Sequence, residues 1–123
     1  LHEKYAEKGV SLIAINSNDP SMSQRDAEAR MRKIADYPFP YLKDKDQAVA
    51  KMFEVTKNPE AIVLVPQENG FQMWYRGKID DNPLDAKRVK KPFLESGIEA
   101  ALAGKSPETQ KTAANGCSIK WIE

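Results

Sequence analysis

Thr56-Lys57-Asn58-Pro59-Glu60-Ala61, running straight into Ile62-Val63-Leu64-Val65, decides how this chain is read. Proline has no N–H to give to a sheet ladder, so at the mouth of an apolar, β-branched run it belongs at the first residue of a strand. A cis bond at such a place is a deliberate feature. Asn69-Gly70 follows, and a second extended segment ends in Trp74-Tyr75-Arg76-Gly77. Asn-Gly between two extended runs marks a hairpin. The stretch therefore reads as a proline-led β-hairpin, with Trp74 a core or rim aromatic rather than a ligand platform.

Towards the N-terminus, Leu1 to Lys8 reads as the last turns of a helix, with Gly9 in the left-handed position that closes it. Val10 to Ile15 is a mostly apolar strand of the kind covered on both faces. Ser23 caps an amphipathic helix with Ala27, Met31, Ile34 and Ala35 on one face, and that helix ends before Pro38. Phe39-Pro40-Tyr41-Leu42 is a short extended segment. Asp44 or Asp46 caps the next helix, whose buried face is Val49, Met52 and Phe53.

Beyond the hairpin, Asp80-Asp81-Asn82-Pro83 is a loop, and Pro92 opens a final helix at its first position. Leu94, Ile98, Ala101 and Leu102 share one face of it, and Gly104 stops it. Residues 1–104 form one domain. Residues 105–123 form a C-terminal tail, polar as far as Asn115, whose apolar end, Gly116-Cys117-Ser118-Ile119-Lys120-Trp121, is expected to dock on a domain. The order is α, β, α, short β, α, β, β, α, with a right-handed crossover between parallel strands.

The bulk numbers exclude several functions. The chain has 123 residues, 41% hydrophobic and 30% charged, which is one soluble domain's worth of polymer. Nineteen basic and 18 acidic residues spread along it leave a net charge of +1, without the basic footprint that nucleic acid selects. Lys87-Arg88-Val89-Lys90-Lys91 is the local exception, read as a solvated loop or a docking patch. No apolar run reaches the roughly 20 residues of a membrane-spanning helix. One cysteine, Cys117, and one histidine, His2, allow no internal disulfide, no cysteine-based zinc site and no Cys/His nucleophile pair. No cofactor or metal site is indicated. The chain begins at Leu1 without a signal-peptide pattern, so residues are expected upstream.

With Asn58-Pro59-Glu60 opening the hairpin, this order resembles the thioredoxin-like superfamily, and within it the redoxin branch of peroxiredoxin-like (AhpC/TSA-like) and TlpA-like thiol/disulfide oxidoreductases. Gly9-Val10-Ser11-Leu12-Ile13-Ala14-Ile15-Asn16-Ser17-Asn18-Asp19 resembles the strand and loop after the active-site helix of bacterial members. Tyr37-Pro38-Phe39-Pro40-Tyr41-Leu42-Lys43-Asp44, Tyr75-Arg76-Gly77-Lys78-Ile79-Asp80-Asp81 and the terminal Gly116-to-Trp121 string are similar to their middle segment, hairpin exit and C-terminus. The resemblance implies an α/β thioredoxin-like fold, three-layer α/β/α with a mixed sheet, incomplete at the N-terminus. Without the first long strand, the neighbouring strands would expose apolar faces, so these residues alone are expected to be poorly soluble or partly disordered.

In that family the reactive cysteine, usually in a Cys-x-x-Cys pair, opens the first helix, and this chain begins inside or after it. No catalytic residue is therefore expected here. The resemblance makes Asn58 and Pro59 the substrate-binding residues, through a cis-proline loop whose backbone pairs with an extended substrate. Asn58 stands where threonine is common. Glu60 reads either as a proton carrier near a buried thiol or as a solvated strand-entrance glutamate. Cys117 reads either as a resolving or regulatory thiol or as a small buried hydrophobe. The implied partners are protein thiols or disulfides, or a larger complex to which a redox-inactive module belongs as an accessory subunit. Localisation is left open: a bacterial-type or organellar soluble domain, compatible with export.

Overall fold

The computed structural model describes residues 2–19, 39–82, 86–114, 117–119 and 121, and of residues 2, 3, 58, 86 and 117 the backbone alone. The helix expected from Ser23 lies outside the described residues. The chain divides into two compact units, Leu1–Thr56 with Ser118–Glu123, and Lys57–Cys117.

In the first unit, α1 (His2–Tyr5) tightens into a 3₁₀ turn at Ala6–Lys8 and ends on Gly9 at φ 82°. The Val10 amide then reaches back to the Tyr5 carbonyl at 3.3 Å, which closes the helix end as the sequence indicated. Tyr5 is buried, and the ammonium groups of Lys4 and Lys8 lie 5.3 and 5.4 Å from its ring centre.

The next strand is shorter than its apolar run. β1 covers only Ala14–Asn16, the length of its partner among the described residues, β2 (Tyr41–Lys43), with which it pairs in parallel, Ile15 opposite Leu42. Ile13, Ile15 and Leu42 remain exposed, at 54%, 43% and 44%. The helix α2 (Ala48–Met52) follows, and its buried residue is Ala50. Met52, expected on the inner face, is 72% exposed. Five residues make little more than one turn, too few for an amphipathic stripe to develop.

Both aspartates proposed as caps are used. The Asp46 carboxylate accepts the Ala48 amide at 3.1 Å, while Asp44 accepts the Val49 amide at 3.3 Å, the Ala50 amide at 3.0 Å and the Ser17 hydroxyl at 2.8 Å. Gln47, between them, is 1% exposed with a left-handed φ of 60°, and its side-chain amide donates to the Ser17 carbonyl at 2.7 Å. Lys43 donates to Asn16 Oδ1 at 3.0 Å and to the Asn18 carbonyl at 2.6 Å, so the carboxyl ends of β1 and β2 are joined through polar groups. At the far end of α2, Glu54 takes the left-handed position at φ 55°, and the Val55 amide returns to the Ala50 carbonyl.

Burial alone would raise the Asp44 carboxyl, but the hydrogen bonds from Ala50, Ser17, Val49 and Ala48 together hold it below the usual aspartate value. A depressed folded value means that this stabilisation is present at pH above the unfolded pKa and is lost as pH falls through the folded one. Asp44→Ala is expected to cost about 1–2 kcal/mol at pH 7, a loss of the size of an N-cap. Urea midpoints should show the gap between the two proteins closing as the pH is taken below about 4.

In the second unit, β3 (Lys57–Asn58) leads to a hairpin of β4 (Ala61–Gln67) and β5 (Gly70–Gly77). The pairing is antiparallel, Ala61 opposite Gly77 and Gln67 opposite Gly70, with a bulge between Val63 and Leu64. The turn residues are thus Glu68 and Asn69, one position earlier than Asn-Gly alone implies. β4 continues through Pro66, which a two-stranded hairpin tolerates because it has edges.

Helix α3 (Phe93–Leu102) packs on this hairpin. Pro92 sits at its N-cap, one residue before the expected position, and its carbonyl accepts the Ser96 amide at 2.9 Å. The buried residues are Leu94, Gly97 and Ile98, whereas Leu102 is 44% exposed. The stripe is centred on the glycine because that is where the sheet comes closest. A Cβ at Gly97 would lie 2.9 Å from Tyr75 Cβ and 3.5 Å from Val63 Cγ2. Gly97→Val should therefore lower stability by about 1–3 kcal/mol through overpacking, read as a fall in the urea midpoint with m unchanged.

Candidate functional site

The hairpin is braced along one edge by the C-terminal segment. The Arg76 amide donates to the Gln110 carbonyl and the Thr112 amide to the Arg76 carbonyl, both at 3.1 Å, so Lys111 bridges Arg76 in parallel. Trp74 Nε1 donates to the Lys105 carbonyl at 2.9 Å. The aromatic expected at a core or rim is half-buried and fastens the start of the tail.

Tyr75 is fully buried, and its hydroxyl has two partners. It donates to the Lys78 carbonyl at 2.6 Å and lies 2.8 Å from Thr112 Oγ1, which itself accepts the Lys78 amide at 2.7 Å. One assignment satisfies all three bonds: Tyr75 donates to Lys78, Thr112 to Tyr75, and the Lys78 amide to Thr112. Burial pushes the Tyr75 phenol above its ordinary value, against the lowering effect of Thr112 and with a smaller push from the Glu60 carboxylate.

On the other face of β5, the Arg76 guanidinium meets Glu60. Arg76 Nε and Nη2 both reach Glu60 Oε1 at 2.8 Å. The two side chains are only 17% and 9% exposed, so the charges are largely withdrawn from water and hold one another. Glu60 directly follows Pro59, which is exposed in the bend between β3 and β4. The carboxylate thus fixes one end of the proline loop to β5.

The other end is fixed by pairing. β3 is the sheet neighbour of β6 (Cys117–Ser118). Of the residues singled out in the sequence, Asn58, Pro59 and Glu60 are therefore contiguous at the loop, and the backbone of Cys117 lies in the strand beside Asn58. Arg76, Tyr75 and Thr112 were not foreseen as parts of this arrangement. Tyr75 and Thr112 are 37 residues apart, and nothing in a polar tail announces which of its hydroxyls will meet a buried phenol. In the Lys87–Lys91 run, Lys87 and Arg88 end a 3₁₀ turn (Ala86–Arg88), Val89 is half-buried and the four basic residues are exposed, with the Lys90 amide on the Asp81 carboxylate at 2.9 Å and the Asp81 amide on the Lys91 carbonyl. Among the described residues, no helix is long and apolar enough to cross a membrane.

The hairpin with its opening proline, the parallel strand pair and the packed helix define a mixed α/β protein of thioredoxin-like fold. The chain matches the AhpC/TSA family over residues 1–79, and it belongs to that family. No curated protein matches it. Among solved structures it is similar to an uncharacterized conserved protein from Geobacillus kaustophilus, with 37% identity and a TM-score of 0.84. A hypothetical protein from Sinorhizobium meliloti is similar at 33% identity and a TM-score of 0.79. Each match covers 98% of this chain, which spans 65% and 66% of the length of those two proteins.

Gly77 packs directly against Thr112 of the tail. It has φ 136°, and a Cβ there would lie 2.8 Å from the Thr112 amide nitrogen and collide with the Thr112 carbonyl oxygen and Oγ1. Gly77→Ala is therefore expected to lift the tail from β5. Limited proteolysis should cut the variant within 105–112 at least about ten times faster than the parent, because the bonds at Gln110 and Thr112 no longer hold.

Proposed function

We propose that this chain is the substrate-binding part of a thiol/disulfide oxidoreductase whose reactive dithiol lies in sequence outside these residues. The observation that carries the reading is the Asn58–Pro59 loop, at the mouth of a hairpin in a member of the AhpC/TSA family. Such a loop offers backbone groups to an extended segment next to a target disulfide, a short β-augmentation that orients the sulfur under attack. The chemistry is thiolate attack on the disulfide: a new S–S bond joins the two proteins, the old one breaks, and the released thiolate takes up a proton. The oxidoreductase's second thiol then attacks the first, closing its own disulfide and releasing the substrate sulfur still held in the mixed disulfide as a thiol. Asn58 and Pro59 bind, and Glu60 is the nearest carboxylate to the loop in sequence. Cys117, on the strand beside Asn58, supplies a thiol of regulatory or resolving use.

A second reading rests on a different observation, the single cysteine in 123 residues. On that reading the fold serves as a redox-inactive interaction module or an accessory subunit of a larger complex. Peptide mapping of the protein from its native source, with alkylation before and after reduction, separates the two. A Cys-x-x-Cys pair that is alkylated only after reduction is the outcome expected of the oxidoreductase; its absence from the intact protein leaves the interaction module. In the intact protein, Pro59→Ala should slow reduction of a protein disulfide about ten-fold or more while far-UV dichroism is unchanged, since misplacing a bound reactant costs rate rather than fold.

A further inference from the structure

The proline loop has little to hold it from within: two residues of β3, an exposed Pro59, and the start of β4. Two constraints from elsewhere position it, and both lead to the same segment of chain. On its N-terminal side, Lys57–Asn58 pairs with Cys117–Ser118. On its C-terminal side, Glu60 is gripped through one carboxylate oxygen by Arg76, with both N···O distances 2.8 Å. Arg76 is in turn the residue that the tail brackets, giving its amide to Gln110 and its carbonyl to Thr112. The tail thus reaches the loop twice, by direct strand pairing and through one arginine.

We infer that Arg76 is a positioning residue for the Asn58–Pro59 loop, and that Gln110 and Thr112, which bracket Arg76, together with the strand Cys117–Ser118 hold the loop in register for an extended substrate. The inference deepens the reading of the loop as a substrate-binding element and rests on it only for the identity of what binds. A guanidinium suits the task because its planar fork fixes direction as well as distance, using Nε and Nη2 together. The loop itself stays open, since Pro59 is exposed and the pair that holds it is mostly buried.

Hydrogen exchange on the full-length protein tests the positioning without reference to activity. Arg76→Met should raise exchange across 57–61 by about ten-fold while the Phe93–Leu102 helix keeps its protection. Glu60→Gln removes the same ion pair with almost no change in shape. It should give the same local pattern, and the double variant should be no worse than the worse single one. Unchanged exchange at 57–61, or a rise spread equally over the helix, would overturn the inference, because Arg76 would then be idle or merely a brace for the whole unit.

Kinetics on the same proteins tests the purpose. Arg76→Met should raise KM for a peptide disulfide by about ten-fold and leave the rate with a small aromatic disulfide unchanged. Equal slowing of both substrates would count against positioning. Absence of exchange with either substrate in the parent protein would instead sink the oxidoreductase reading, and the exchange pattern at 57–61 would still decide the role of Arg76.

Discussion

The strand β5 is bonded along both edges, and much of the second unit depends on that. A two-stranded hairpin in water is marginal. Here β4 takes one edge and the Gln110–Thr112 segment bridges the other at Arg76, while the ring of Tyr75 points to the helix and is fully buried. Burying a phenol is favourable only if its hydroxyl is satisfied, and the closed set of bonds among Tyr75, Lys78 and Thr112 does this. The close approach at Gly97 and Gly77 is what those bonds demand. Each glycine sits where a methyl group would push either the helix or the tail away.

The same strand connects stability to the site. Tyr75 and Arg76 are adjacent and point to opposite faces, as successive residues of a strand must. One holds the helix and the other holds Glu60. The proline loop is thereby tied to the fully buried Tyr75 through a single backbone step, which limits how far it can drift. In the first unit, Asp44 has a comparable part, since it joins the end of β2 to the first turn of α2 and to the Ser17 hydroxyl.

The hairpin, its opening proline, the capping aspartates and the final helix were legible in the sequence because each is announced by local chemistry. Proline lacks a donor, glycine tolerates positive φ, and an aspartate before a helix accepts free amides. What stayed illegible has no local mark. Glu54 and Gln47 adopt left-handed backbone without being glycine, because neighbouring hydrogen bonds outweigh the modest strain. Met52 looked like a core residue by spacing alone and is exposed, since α2 is too short for spacing to matter. The strand β1 was shorter than its apolar run, because a strand is defined by its partner and the partner has three residues. Arg76 and Thr112 were hidden for a related reason: their partners are distant in sequence, and a charged residue in a strand looks the same whether it is solvated or paired.

The second unit begins at Lys57 and finishes at Cys117, and these two residues belong to neighbouring strands of one small sheet. Its two ends therefore lie in adjacent strands, which run roughly 4.8 Å apart. A segment whose ends meet is topologically closed, so evolution or an engineer can treat it as a cassette. It can be carried into another host at a single surface turn, or be given new termini at Glu68-Asn69, without any strand having to cross the others.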